Sequence, residues 1–219
     1  RDLLISLLNK INTHARGRTA EVIFLGDYID RGPDSAGVID AILDSPRLEK
    51  FACSYLKGNH EATLLEFLSD PGVGPSWAQF GGLETLMSYG VRPPTLKSDV
   101  DAWASASKDL HAKLPDRHKR FYAELELTVQ RGDYLFVHAG VDPEKRLEDQ
   151  TEHDLLWIRD EFLDHGRQLD RLIVHGHTPE PSPHHDKRRI GIDTGAYQTG
   201  ILTAVYIDHS GVEFISTGV

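Results

Sequence analysis

GDYIDRG at residues 26–32 and KGNHE at residues 57–61 are the two stretches that decide the fold. Each follows an apolar, strand-like run and ends it in a turn that contains glycine. Together they carry carboxylate, amide and imidazole groups that bind divalent cations, and a guanidinium that can fork around a phosphate. The residues in question are Asp27, Asp30, Arg31, Asn59 and His60. This combination predicts metal-assisted attack on a phosphoryl group.

Two later runs, FVHAG at 136–140 and IVHGHTP at 173–179, are also typical of strands that end in histidine. Ligand sites of open α/β sheets lie at the carboxyl ends of the strands. We therefore expect four strand ends to carry site residues toward one sheet edge: Asp27, Asn59, His138 and His177. Helices alternate with strands early in the chain and strands follow one another later, which favours an α/β fold of two packed sheets with outer helices.

In this order the motifs resemble the phosphoprotein phosphatase (PPP) family of calcineurin-like metallophosphoesterases, and within it the bacterial Ser/Thr phosphatase branch. LLWIRD at 155–160 and IDTGAY at 192–197 extend the resemblance, which runs from about residue 20 to about residue 208. It implies a four-layer αββα sandwich of two mixed β-sheets, in one metallophosphoesterase domain over residues 1–219. Residues 69–120 carry none of the motifs, and we predict a helical insertion there.

The resemblance also implies a metal centre with two divalent cations. Asp27 would bridge both cations, and three further residues would complete one of the two sites: Asn59, His138 and His177. Two nitrogen and two oxygen ligands suit Mn, Fe or Zn better than Ca or Mg. Manganese is the first choice by resemblance, with iron or zinc as alternatives.

The implied mechanism is in-line attack of a metal-bridged hydroxide on phosphorus, with no protein nucleophile. His60 would act as general acid toward the leaving oxygen, and Asp30 would orient His60 and keep it protonated. Arg31 and Arg159 would bind the phosphate oxygens. An exposed helical arginine is the competing interpretation of Arg159, and Trp157 is expected in the core.

The start of the chain departs from the family pattern. The family opens with a GDxHG-type turn that gives an Asp and a His to the first metal. Here RDLLISLLNKI at 1–11 looks like the helix that follows such a turn. We expect residues ahead of Arg1 to supply the two missing ligands.

The resemblance leaves three functions open. The first is a metal-dependent phosphomonoesterase acting on phosphoserine or phosphothreonine in proteins. The second is a symmetrical dinucleoside polyphosphate hydrolase, acting for example on diadenosine tetraphosphate. Glu61 after GNH, with the intact DRG, favours the first, since the second branch tends to carry Asp there. The third is an inactive phosphate-binding module, should Arg1 be the genuine N-terminus.

The composition of the chain indicates which classes of binding partner and which cellular compartment to expect. The 219 residues include 24 basic and 34 acidic side chains, giving a net charge of −10. Such a charge argues against nucleic acid and anionic membranes as partners. A phosphorylated protein or a small phosphoester is the expected substrate. The single cysteine excludes an internal disulfide and fits the cytoplasm. Seven histidines in polar contexts are expected at the solvated surface: His14, His111, His118, His165, His184, His185 and His209.

Overall fold

The structure is a computed structural model that describes residues 1–218. Contacts within the chain group it into two compact units. The first unit holds Arg1, Asp27–Ser45 and Asn59–Leu125. The second holds Asp2–Gly26, Pro46–Gly58 and Glu126 to the end of the described chain. The single domain over 1–219 stays a prediction.

Helices and strands are numbered separately along the chain. The helices are α1 Asp2–Ala15, α2 Ser35–Leu43, α3 Asn59–Ser69, α4 Gly74–Trp77, α5 Gly82–Ser88, α6 Val100–Lys113, α7 Asp116–Ala123, α8 Glu152–Trp157, α9 Asp160–Leu163 and α10 Ala196–Thr199. The strands are β1 Glu21–Phe24, β2 Ala52–Tyr55, β3 Thr128–Arg131, β4 Tyr134–Val137, β5 Leu172–His175, β6 His184–His185, β7 Arg189–Gly191, β8 Thr203–Asp208 and β9 Gly211–Ser216. Short 3₁₀ turns lie at Pro71–Val73, Ala78–Phe80 and Leu147–Asp149.

The first unit is built from helices α2 to α7. Aspartates start two of them: the Asp34 side chain accepts from the Gly37 N–H at 3.0 Å, and Asp99 accepts from Ala102 at 3.0 Å. These caps satisfy amide groups that the first helical turn leaves without a partner. Residues 69–120 contribute α4, α5, α6 and the first part of α7, and their apolar side chains join a core that includes the fully buried Phe67 and Leu110.

The second unit carries all nine strands of the described chain. Strands β1 and β2 are parallel, and a parallel bridge from Leu56 to Glu126 continues β2 toward the next sheet. That sheet has the order β3-β4-β5-β7-β6 and mixes parallel with antiparallel pairs. Strands β8 and β9 form a separate antiparallel pair. The predicted α/β class with mixed sheets is confirmed.

Parallel pairing of β4 with β5 explains where two predicted ligands lie. Both strands are rich in branched apolar residues, and Val137, Ile173 and Val174 are fully buried. Each strand therefore ends at the same edge of the sheet, and His138 directly follows β4. His177 lies two residues after β5. Of the helices in residues 1–218, none combines the length and the apolar character that a bilayer crossing requires.

Candidate active site

The turn after β1 holds three predicted site residues in an unusual backbone conformation. Asp27, Asp30 and Arg31 have φ angles of 58°, 72° and 61°. Non-glycine residues seldom adopt this left-handed region, and such strain concentrates at functional sites. His177 has a φ of 64°. In the described chain, four of the five non-glycine residues with positive φ are thus residues that the sequence assigns to the site.

Glu61 supports the beginning of this turn from α3. Its side chain is fully buried and accepts hydrogen bonds from the N–H groups of Asp27 at 2.9 Å and Tyr28 at 2.7 Å. A carboxylate that receives two backbone amides holds those amides in place. From the sequence, Glu61 was taken only as a marker of the substrate branch, and its structural role was missed.

His60 and Asp30 form a buried pair within the first unit. His60 Nδ1 lies 2.5 Å from Asp30 Oδ2, and the backbone N–H of His60 donates to Asp27 Oδ1 at 3.4 Å. Burial by itself lowers the pKa of His60, but the hydrogen bond to Asp30 and the charges of Asp27, Asp30 and Glu61 raise that pKa to about 9. The raised pKa favours the imidazolium form, which carries a proton on both nitrogens.

Two further groups from α4 and α5 bind the same carboxylate. Trp77 Nε1–H donates to Asp30 Oδ2 at 2.8 Å, and the Thr85 hydroxyl donates to Asp30 Oδ1 at 2.6 Å. Neither residue was assigned to the site from sequence, because nothing in the motif order connects positions 77 and 85 with position 30.

Arg31 and Asn59 complete the predicted residues of the first unit. Arg31 is exposed, and its Nε donates to the Phe80 carbonyl at 3.4 Å. Asn59 is the first residue of α3 and is buried.

His138 and His177 meet within the second unit. His138 Nδ1 donates to the Leu25 carbonyl at 2.7 Å, which leaves Nε2 as the nitrogen with a lone pair. That Nε2 lies 3.1 Å from His177 Nδ1. Two nitrogens held about 2.0–2.1 Å from one cation, at angles of roughly 90–110°, are separated by about 3 Å. The spacing of the pair therefore fits two imidazole ligands of a single cation.

Arg159 lies beside His177 at a break in the chain. Helix α8 ends at Trp157 and α9 begins at Asp160, so Arg159 lies between two short helices. The break lets Arg159 donate through Nη1 to the His177 carbonyl at 3.4 Å and to Thr178 Oγ1 at 3.2 Å. The expected core location of Trp157 is wrong, since its side chain is 42% exposed and its ring lies 6.5 Å from the His177 ring.

His175 faces away from this pair. Its Nδ1 lies 3.0 Å from the Gly176 carbonyl, and its Nε2 lies 3.2 Å from Arg189 Nη1. Arg189 in turn donates to both oxygens of Glu180. Burial, helped by the charge of Arg189, lowers the pKa of His175 to about 4. The neutral ring is thus a structural partner of Arg189.

A family model described as calcineurin-like phosphoesterase matches residues 1–209. The chain belongs to the calcineurin-like phosphoesterase family. It is 27% identical to the asymmetrical bis(5'-nucleosyl)-tetraphosphatase PrpE of Anoxybacillus flavithermus over 90% of this chain and 78% of the relative. The PrpE of the same description from Halalkalibacterium halodurans is 28% identical over 98% of this chain and 88% of the relative.

A solved structure described as a candidate diadenosine tetraphosphatase shares the fold. Its TM-score is 0.64 at 18% identity, over 99% of this chain and 88% of that one. The α/β fold with mixed sheets is therefore that of the metallophosphoesterases, and this calcineurin-like phosphoesterase is a metal-dependent phosphoester hydrolase. The alternative of an inactive phosphate-binding module is not supported.

The prediction of a Ser/Thr protein phosphatase is wrong. The relatives are named bis(5'-nucleosyl)-tetraphosphatases, so the dinucleoside polyphosphate alternative was closer, although those relatives are described as asymmetrical and the alternative was symmetrical. The error has a physical cause: Glu61 was used to choose the substrate, yet Glu61 is fully buried beneath the Asp27 turn. A buried residue that accepts main-chain amides of this turn is a poor guide to the leaving group.

Proposed function

We propose that this calcineurin-like phosphoesterase hydrolyses bis(5'-nucleosyl) tetraphosphates asymmetrically, into a nucleoside triphosphate and a nucleoside monophosphate. The names of its relatives suggest the substrate. The observation that carries the site is the strained backbone at Asp27, Asp30, Arg31 and His177. Such conformations cost about 1–3 kcal/mol each and persist where the surrounding structure over-determines them.

We propose one cation bound by Asp27, Asn59, His138 and His177. The 3.1 Å spacing of the two imidazole nitrogens supports this, and so does the tautomer that Leu25 imposes on His138. Asp27 lies two residues after Leu25, the residue whose carbonyl accepts the hydrogen bond from His138. Asn59 is the residue directly after Gly58. Two divalent cations, manganese before iron or zinc, remain the proposed complement, and they would neutralise phosphate oxygens and activate water.

The protein groups then bind the substrate and move the proton. Arg31 and Arg159 are exposed guanidinium groups, and we assign them to the oxygens of the phosphate chain. His60 Nε2–H is assigned to the oxygen that leaves phosphorus, while Nδ1–H stays with Asp30. A triphosphate is a better leaving group than an alkoxide, so an anhydride substrate depends on His60 less than an alkyl phosphate does.

The partners follow from the same assignment. The relatives' names support a small phosphoester substrate, and no protein substrate is supported by them. The cytoplasmic location and the absence of nucleic acid and membrane partners stay predictions from charge and composition.

The test compares three substrates with and without added Mn²⁺: diadenosine tetraphosphate, p-nitrophenyl phosphate and a phosphoserine peptide. We expect Mn²⁺-dependent turnover that EDTA abolishes, with kcat/KM highest for the tetraphosphate. His138→Ala should lose both bound metal and turnover. A phosphoserine peptide hydrolysed with the highest kcat/KM would overturn the proposal.

A further inference from the structure

We propose that Trp77 and Thr85 are positioning residues that orient the Asp30–His60 pair. The inference rests on the proposed role of His60 as proton donor. It assigns a task to the segment 77–85, which the sequence motifs leave without one.

Three donors fix the Asp30 carboxylate from three directions. Oδ2 accepts from His60 Nδ1 at 2.5 Å and from Trp77 Nε1 at 2.8 Å, and Oδ1 accepts from Thr85 Oγ1 at 2.6 Å. The Asp30 side chain is fully buried. With three donors attached and water excluded, the plane of the carboxylate cannot rotate without losing a hydrogen bond in a poorly solvated place. The direction of the lone pair that holds His60 is thereby set by Trp77 and Thr85.

Thr85 also accepts a hydrogen bond from the backbone of Asp30. The Asp30 N–H donates to Thr85 Oγ1 at 2.9 Å and lies 3.1 Å from Ser35 Oγ. The one hydroxyl proton of Thr85 goes to Asp30 Oδ1, so at the 3.0 Å contact between the two hydroxyls Ser35 is the donor. A single hydroxyl therefore joins the backbone and the carboxylate of Asp30.

The same segment also contacts Arg31, the third left-handed residue of the turn. The Arg31 N–H donates to the Gly81 carbonyl at 3.3 Å, and Arg31 Nε donates to the Phe80 carbonyl at 3.4 Å. Gly81 has a φ of 104°, and a Cβ there would come within 2.3 Å of Arg31 N. Close approach between the two backbones is thus possible because position 81 is glycine. The segment stabilises both strained residues, Asp30 and Arg31.

The packing role of Trp77 can be separated from its donor role. The indole packs on Phe67, with ring centroids 5.0 Å apart, and a Cβ on Gly82 would meet it at 2.4 Å. Only the N–H is directed at Asp30. Trp77→Phe keeps an aromatic ring and removes that donor. Thr85→Val removes the hydroxyl at similar volume, and Thr85→Ser keeps the hydroxyl.

Trp103→Phe provides a matched control. Trp103 is 3% exposed against 2% for Trp77, it also packs on Phe67, and its N–H donates to the Lys97 carbonyl at 3.2 Å. This variant loses one buried indole donor in the same unit without touching Asp30. Thr203→Val is the control for Thr85→Val, because the Thr203 hydroxyl is buried and bonds to Thr194.

The first measurement is NMR of protein labelled with ¹⁵N-histidine, with the His60 signal assigned by its loss in His60→Gln. A short hydrogen bond from Nδ1 to a carboxylate places that proton far downfield. We expect Trp77→Phe and Thr85→Val to move or broaden the signal, and the two control variants to leave it in place. An unchanged His60 signal in both folded test variants would overturn the inference. Because this readout needs no turnover, it tests the inference even when the proposed function fails.

The second measurement is steady-state kinetics with an alkyl or phenyl phosphate, whose leaving group demands a proton. General acids contribute roughly 10²–10⁴-fold, and we expect about a tenfold or larger loss of kcat in Trp77→Phe and Thr85→Val, with KM within about threefold. Thr85→Ser, which keeps the hydroxyl, should retain most of the kcat of the unmodified protein. In a His60→Asn background neither substitution should cause a further loss. Losses that multiply in that background, or that equal those of the controls, would contradict the inference. An unmodified protein that hydrolyses neither this phosphate nor diadenosine tetraphosphate would count against the proposed function alone.

Discussion

Two neighbouring histidines have different roles in this protein, and the difference follows from their contacts. His175 and His177 are two positions apart in VHGHTP, yet His177 faces His138 while His175 faces Arg189. The family resemblance implied His177 as the ligand. It could not show that His175 is held neutral by burial, since that depends on Arg189 and Glu180, which come later in the chain.

We predict a pH-dependent contribution of His175 to stability. Its pKa is lowered to about 4 from the ordinary 6.5. Below pH 6.5 the His175 side chain is therefore protonated in the unfolded chain, whereas in the folded protein it stays neutral until the pH approaches 4. This contribution is present in full above pH 6.5 and is lost as the pH falls toward 4. Between pH 7 and pH 5 the metal-free protein should lose about 2 kcal/mol more in unfolding free energy than His175→Asn does.

Urea unfolding at both pH values, in EDTA, measures that difference. Groups remote from His175 titrate equally in the two proteins, so they cancel in the comparison. Parallel losses in the two proteins would show that the folded protein protonates His175 as readily as the unfolded chain does.

The environment of Gly26 allows a second prediction, which concerns the stability of Gly26→Ala. It has a φ of 96°, and a Cβ there would lie 2.5 Å from Gly58 N and 2.9 Å from His138 Nδ1. Gly26→Ala should therefore cost about 3 kcal/mol or more through clash and backbone strain. Gly17→Ala is the control, because Gly17 also has positive φ but open space around it, and about 1 kcal/mol is expected. Equal urea midpoints for the two variants would refute the clash.

At the scale of elements, the strands and their terminal motifs could be predicted from the sequence, and the helix contacts could not. Apolar runs that end in glycine and histidine mark β4 and β5 because the signal lies in adjacent residues. The contact of α2 with α7 joins positions more than seventy residues apart. Its centre, His118, was expected at the solvated surface, but it is 1% exposed, and that expectation is wrong.

We predict that Asp40 fastens α7 to α2. His118 Nε2 lies 3.0 Å from Asp40 Oδ1, Arg117 also bonds to Asp40, and His118 Nδ1 lies 2.9 Å from the Tyr89 hydroxyl. Asp40→Ala leaves a buried ring nitrogen without its partner and should cost about 1–3 kcal/mol. Asp116→Ala, at an aspartate whose side chain is 94% exposed, should cost no more than about 1 kcal/mol. Thermal unfolding of both variants tests this, and equal Tm values would contradict it.

At the scale of the whole molecule, the reaction class could be predicted from the sequence and the substrate could not. Metal ligands and proton donors occur in short motifs, because the chemistry of phosphoryl transfer fixes the residue types. Substrate choice depends on surfaces that the motifs do not describe, and the acidic total charge of −10 constrains it only loosely. For this reason the class of metal-dependent phosphoester hydrolase was predicted correctly, while the protein phosphatase assignment failed.

The most direct measurement is the product distribution from diadenosine tetraphosphate, resolved by anion-exchange chromatography at early times with Mn²⁺ present. We predict AMP and ATP in equal amounts, no ADP, and no reaction in EDTA or with His138→Ala. Two ADP per substrate would contradict the asymmetrical cleavage. An intact substrate in the presence of bound metal would contradict the proposed function itself.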